Sequence, residues 1–340
     1  MPRRRFLLAG VAGAAAVAVP AVVLSTRDSD ATGRSGKAGG GRIRDRILTG
    51  HGAVVSQVAF TPDGTALASG GADGPIMLWD VETGEPIRTL RGHAYPVVAM
   101  AFSPDGKTMY SAAEGVQVWD VAAGRALRGL PTRERSDQPR EFFAMAGSPD
   151  GRYLATDAPD GGGPILWDAA TGRLVRRYAG DADASLAFTP DGRTLAGGGQ
   201  SLRLWDVASG GFLRGFHWAG TPVHSVALGR DGRVLAASSV RAPVRLWDRS
   251  TGRTLHDLTG QGNVSGPLAF SPDGRLLAVS AVPDAAGANE ITLWDVASGE
   301  VNRVLEGHAG GVNALAFHPG GTVLASASDD RTVRLWKLTA

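Results

Sequence analysis

Residues 307–338 read GHAGGVNALAFHPGGTVLASASDDRTVRLWKL. Gly307-His308 opens the stretch, an alternating run follows (Val312, Ala314, Ala316, closed by Phe317), and Pro319-Gly320-Gly321 makes a turn. A second run, Val323 to Ser326, leads to Asp330, and a third, Val333 to Trp336, ends at Lys337. Three β-type runs separated by turn residues predict a small antiparallel meander. Such a unit cannot bury its apolar face alone, so it needs copies.

The chain supplies them. Tryptophan recurs at 79, 119, 167, 205, 247, 294 and 336, at spacings of 40, 48, 38, 42, 47 and 42, and the first six are each followed by Asp. That period reads as one four-stranded propeller blade per repeat, so the expected fold is an all-β, seven-bladed β-propeller over residues 43–340. After each of the first six Trp-Asp pairs comes a polar turn such as Val81-Glu82-Thr83-Gly84, then a fourth run such as Pro86 to Leu90. The last repeat lacks that fourth run. An orphan run, Arg44 to Thr49, instead precedes the first Gly50-His51. It is expected to be the outer strand of the last blade, closing the ring from both chain ends and leaving no free edge between first and last repeats.

A turn recurs with the same period: Pro62-Asp63-Gly64, Pro104-Asp105-Gly106, Pro149-Asp150-Gly151, Pro190-Asp191-Gly192 and Pro272-Asp273-Gly274. Pro presets the first turn angle, Asp bonds the local backbone, and Gly takes positive φ. Together these features resemble the WD-repeat β-propeller family. The resemblance implies a hydrogen-bonded chain of His, Ser or Thr, Asp and Trp inside a blade. His51, Ser69, Asp73 and Trp79 fit it, as do His308, Ser326, Asp330 and Trp336, both at intervals of 18, 4 and 6 residues. The chemistry is sensible, because an indole N–H only donates, a hydroxyl donates and accepts, and a carboxylate orients the imidazole. Blade two keeps His93, Ser111 and Trp119 in a shorter repeat, with the Asp lost. Blade three keeps Thr156, Asp160 and Trp167. Blade four has Gly197 at the hydroxyl position, blade five has Ala237 and Arg241 at the Ser and Asp positions, and blade six has Gln261 at the His position. The two complete sets are expected to stiffen the closure.

Composition narrows the function classes. With no cysteine, disulfides and thiolate chemistry are excluded. The net charge of +2 is misleading, because residues 43–340 carry 28 basic and 31 acidic residues; nucleic acid is not the expected partner. Ala101 to Thr108 satisfies a loose phosphate-loop pattern, but it falls on a strand–turn–strand, where backbone N–H groups do not converge. No cofactor is expected. No pair among the seven His has the short spacing of a zinc site, so no metal is expected either.

Residues 1–24 read as a signal peptide or membrane anchor. Arg3-Arg4-Arg5-Phe6-Leu7 resembles the twin-arginine export motif, with Pro2 and Leu8 departing from it, and residues 6–24 could remain as a membrane tether. Residues 25–42 read as a flexible linker. The expected location is therefore extracytoplasmic, secreted or anchored at the cell envelope.

The resemblance also implies that the connections entering each inner strand, and those between second and third strands, share a face used for partners. Candidate contacts there are Arg133, Arg135 and Arg140 in a long charged connection, with His217 and Trp218, the last being the only Trp outside the repeat position. The expected function is a non-catalytic, monomeric protein-interaction scaffold. The alternative is a propeller enzyme or small-ligand sensor using the central channel, which would require converging acid–base or metal-binding groups from several blades.

Overall fold

The computed structural model describes residues 45–130, 144–158, 162–180, 182, 184–216, 218, 222–239, 242–259, 266–280 and 289–338. The targeting-type segment, the linker, Arg133, Arg135, Arg140, Asp160, His217, Arg241 and Gln261 lie outside them. Seven antiparallel four-stranded sheets form the blades, and no helix occurs among the described residues.

Blade one shows the pattern. Its strands are Val55–Phe60, Ala66–Gly71, Ile76–Asp80 and Pro86–Leu90, running in that order from the channel outward. The inner three are mostly buried and rich in Val, Ala and Leu, as sheets covered on both faces require. The outer strand is mostly exposed, with Leu90 its one buried residue. Inner strands of the next five blades are Ala99–Phe102, Met145–Gly147, Ser185–Phe188, Val223–Leu228 and Leu268–Phe270.

Blade seven is closed as the sequence requires. Val312–Phe317, Val323–Ser328 and Thr332–Lys337 supply three strands, and Arg46–Thr49 supplies the outer one. Leu48 pairs with Val333, and Arg46 with Leu335. Leu48 is buried in a cluster with Val55, Trp79, Val333 and Leu335, so the closing strand also packs on blade one. Two residues on, Gly50 lies against the next blade's tryptophan, where a Cβ would come within 2.9 Å of Met77 Cε and 3.1 Å of Trp79 Cη2. Glycine is needed there for that close approach.

In each Pro-Asp-Gly turn the carboxylate does local work. Asp63 Oδ1 accepts from Thr61 Oγ1 at 2.6 Å and from the Thr65 N–H at 3.0 Å. Although burial opposes it, these bonds hold the Asp63 carboxyl below its usual value.

The sequence reading missed a second binding device. Two residues before the last buried side chain of an outer strand stands a long basic residue that reaches into the following blade. Arg46 donates to the Glu82 carbonyl at 2.6 Å and to that of Thr83. Arg128 donates to Ala169 O at 2.8 Å and Arg176 to Ala208 O at 2.8 Å. His256 lies 3.1 Å from Ala297 O, and Arg303 donates to Lys337 O at 3.4 Å. Each clasp satisfies a backbone carbonyl of the following blade, in four cases in the tight turn before its outer strand and for Arg303 at the end of a strand, and ties neighbouring blades together.

Candidate functional site

In an antiparallel four-stranded blade, the connections into the inner strand and between second and third strands fall at one end. That end is organised by the buried polar chains. In blade one, Trp79 Nε1–H donates to Ser69 Oγ at 2.7 Å, Ser69 Oγ lies 2.7 Å from His51 Nε2, and His51 Nδ1 lies 3.0 Å from Asp73 Oδ2. A carboxylate only accepts, so Nδ1 carries the proton, and Nε2 accepts from the serine hydroxyl. Every bond then runs in one direction, from indole to carboxylate. Asp73 also accepts the Gly52 N–H at 3.0 Å, which fixes the connection into the inner strand.

Blade seven repeats this arrangement. Trp336 Nε1–H to Ser326 Oγ is 2.8 Å, Ser326 Oγ to His308 Nε2 is 2.7 Å, His308 Nδ1 to Asp330 Oδ2 is 2.7 Å, and the Ala309 N–H donates to Asp330 at 3.0 Å. Burial pushes the His308 imidazole below its usual pKa, against the pull of Asp330. Burial raises the Asp330 carboxyl, but hydrogen bonds from Thr332 and His308 outweigh it and hold the group at about 2.

Blade two has lost the Asp but not the carboxylate. Glu114 takes the role: Oε2 lies 3.2 Å from His93 Nδ1, and Oε1 accepts the Ala94 N–H at 3.3 Å. His93 Nε2 lies 2.6 Å from Ser111 Oγ, which accepts from Trp119 Nε1–H at 2.7 Å. The longer side chain compensates for the shorter connection. Among the described residues, three complete chains therefore occupy consecutive blades, seven, one and two.

The other blades solve the indole's problem differently. Trp167 donates to Thr156 Oγ1 at 3.0 Å, and Trp205, facing Gly197 where a hydroxyl would stand, donates to the Ala179 carbonyl at 3.0 Å. Blade five surrounds its tryptophan with rings. Trp218, expected as an exposed partner contact, is only 5% exposed. Its ring meets Trp247 edge-on at 5.6 Å, Phe216 lies 5.6 Å from Trp247, and the Arg245 guanidinium sits 5.9 and 6.0 Å from the Trp218 and Trp247 ring centres. With Ala237 at the hydroxyl position, aromatic packing takes the place of the hydrogen-bonded chain. Trp218 is thus a core residue and leaves the set of candidate contacts.

What this end does expose among the described residues is Tyr95. It is 50% exposed in the connection from Arg91 to Val98, next to the Ala94 N–H gripped by Glu114. Among the described residues, no group of three or more His, Asp or Glu is placed to hold a metal ion. Each imidazole spends both ring nitrogens inside its own blade, one on the carboxylate and one on the serine hydroxyl.

Replacing Ser69 by Ala tests the chain's energetics. The Trp79 N–H and the His51 Nε2 lose their shared partner in a buried site, at a cost of about 1–3 kcal/mol in chemical denaturation. An unchanged midpoint would show that the hydroxyl is dispensable.

The repeats have recognisable counterparts. The WD domain, G-beta repeat family (WD40) matches residues 44–80, 84–120, 172–206 and 299–337. Four stretches of the chain thus match this repeat. The first of those matches begins before the closing strand, and the last runs through the final tryptophan. Similar proteins include the guanine nucleotide-binding protein subunit beta of Oryza sativa subsp. indica, 28% identical over 221 residues covering 57% of this chain and 56% of that protein. Periodic tryptophan protein 2 of Arabidopsis thaliana is 28% identical over 198 residues, 56% of this chain and 21% of that protein. Small ribosomal subunit protein RACK1 of Brassica napus is 26% identical over 162 residues, 47% of this chain and 41% of that protein. The chain thus spans about a fifth to just over half of these curated relatives.

Proposed function

We propose that this WD40-repeat propeller is a non-catalytic protein-interaction scaffold that binds its partner at the end carrying the inner-strand connections. One observation carries the reading: exposed Tyr95 sits on a backbone gripped by Glu114, the carboxylate end of a histidine–serine–tryptophan chain that runs into the blade. Asp73, Glu114 and Asp330 each grip the N–H of an incoming connection, at Gly52, Ala94 and Ala309. Connections fixed in this way lose little conformational entropy on binding. A half-exposed tyrosine on such a support has the size, stiffness and polar tip of an interface anchor. The names of the similar proteins, a G-protein β subunit and a ribosomal subunit protein, are compatible with work done through partners.

The N-terminal segment adds a location to the proposal: export through the twin-arginine-like motif, with residues 6–24 as signal or tether and the propeller outside the cytoplasm as a monomer. The experiment is crosslinking capture from the cell envelope with the full chain. Tyr95→Ala is expected to reduce recovery of the captured partner at least tenfold, the loss of roughly 1.4 kcal/mol or more that an anchor residue contributes, with no change in melting temperature. Undiminished capture would remove Tyr95 from the interface. Lys at both 3 and 4 should leave the chain in the cytoplasm, and unchanged export would remove the twin-arginine assignment alone.

A further inference from the structure

We propose that blade five carries a second docking surface, at the end of the ring opposite Tyr95, where four arginines take an extended acidic segment of a protein partner. This surface stands independently of the Tyr95 end. In blades one to six the turn between first and second strands and the turn between third and fourth strands share that opposite end. Blade five departs from the repeat in both turns. Arg230 stands where the other six blades have proline, and Arg249 follows its Trp-Asp pair where blades one, two, four and six have Val81, Val121, Val207 and Val296. The two turns together carry Arg230, Arg233, Arg249 and Arg253 against Asp231 and Asp248, a net charge of +2. The same turns are neutral in blades two and three, and in blade one they hold Asp63, Asp80, Glu82 and Glu85 with no cation. Among these six blades only the fifth has an excess of positive charge there. Charges beyond roughly 8–10 Å are largely screened at the surface, so this local excess is what a docking segment meets.

The carboxylates of blade five are spent on its own turns, and the guanidinium groups are held outward. Asp248 is buried; its Oδ1 accepts from Ser250 Oγ at 2.6 Å and from the Thr251 N–H at 2.9 Å. Asp231 Oδ1 accepts the Arg233 N–H at 2.8 Å. Two of the four cations are fixed by their Nε alone: Arg233 Nε donates to Asp248 Oδ2 at 3.0 Å, and Arg249 Nε to the Gly232 carbonyl at 2.6 Å. Each keeps its two Nη groups for a carboxylate, and a guanidinium already fixed at Nε loses less freedom when it makes that bond. Arg230 and Arg253 flank them and are exposed. Asp191 of blade four also lies within electrostatic reach of Arg249, but it is matched by Arg193 of its own turn.

Spacing selects a segment over a single anion. One turn joins strands one and two and the other joins strands three and four, so their centres stand about two strand spacings apart, roughly 10 Å. A lone phosphate cannot bridge them. An extended chain places a side chain on the same side roughly every 6.6 Å, so acidic residues at alternate positions reach both turns.

Fluorescence anisotropy of the full chain with a labelled peptide of alternating Glu and Ser tests the surface. Arg230→Pro combined with Arg249→Val installs the residues of the other blades, and should weaken binding about fivefold through the loss of two exposed charge pairs, with no fall in melting temperature. Arg152→Gln combined with Arg173→Gln removes two arginines from the same end of blade three, and should leave the peptide bound as before. Equal losses in the two variants would reduce the effect to overall charge and overturn the proposal, as would a native chain that does not bind the peptide. Inorganic phosphate that displaces the peptide where chloride of equal ionic strength does not would make this a single-anion site, which also overturns it. Tyr95→Ala should change nothing; weaker binding there would move the peptide to the opposite end of the ring and sink the assignment to blade five. Should Arg230→Pro with Arg249→Val fail to fold, Arg230→Gln with Arg253→Gln, both at exposed side chains, provides the same comparison.

Discussion

A chain beginning at Gly50 will unfold or aggregate under conditions in which a chain beginning at Arg42 melts as a single domain. The shorter chain lacks Arg46–Thr49, whose four residues pair with Thr332, Val333, Arg334 and Leu335. Their backbone bonds contribute roughly 0.5–1.5 kcal/mol each. Leu48, buried between blades seven and one, adds about 1.5–3 kcal/mol. Ile47, the strand's other large apolar residue, is 53% exposed, because its side chain points to the opposite face of an edge strand, and it adds little. The sum, about 3.5–9 kcal/mol, consumes most of the 5–15 kcal/mol available to a typical domain. Arg46 is lost as well, and with it the clasp on the Glu82 and Thr83 carbonyls. The uncovered edge of Thr332–Lys337 then offers free N–H and C=O groups to another chain. Equal melting temperatures and equal solubility for the two chains would show that closure does not depend on this strand.

The closing strand was legible because it stands immediately before Gly50-His51, as Pro86–Leu90 stands before Gly92-His93. Blade number and strand order followed from the tryptophan period and the Pro-Asp-Gly turns for the same reason: repetition turns weak local signals into a register. What repetition does not encode was harder to read. Glu114 was hidden because a shortened connection moved the carboxylate off the fixed interval after Ser111, and a longer side chain restored the contact in space. Arg46, Arg128 and Arg176 were overlooked because their partners are backbone carbonyls one blade away, and a carbonyl leaves no mark in a sequence. His318 stands beside the turn Pro319-Gly320-Gly321, yet its partner Gly64 lies 254 residues earlier and only ring closure brings the two together. Of the candidate site, the buried chains in blades one and seven were readable. Tyr95 was not singled out because one tyrosine in a short connection carries no pattern, and its exposure is a property of the folded loop.

Trp218→Ala should cost about 3–5 kcal/mol, the range for emptying a buried aromatic site, and should do so whether or not a partner is present. Position explains why. Trp218 stands two residues after the buried Phe216, as Gly50, Gly92 and Gly307 stand two residues after the buried Leu48, Leu90 and Leu305. Those glycines lie close to the following blade's tryptophan, at Trp79, Trp119 and Trp336. An indole in that position therefore falls against Trp247, inside the blade and away from solvent. Removing it strips one side of Trp247, takes away one of the two rings under Arg245, and leaves a void that Ala237, a small side chain, does not fill. The Arg245–Asp257 pair, with Nη2 to Oδ2 at 2.9 Å, is partly exposed and does not compensate. Trp218→Phe keeps a ring and should recover more than half of the loss. Denaturation midpoints of the two variants, measured without partner, decide the matter. A Trp218→Ala protein as stable as the native chain would return this tryptophan to the surface and to the list of binding residues.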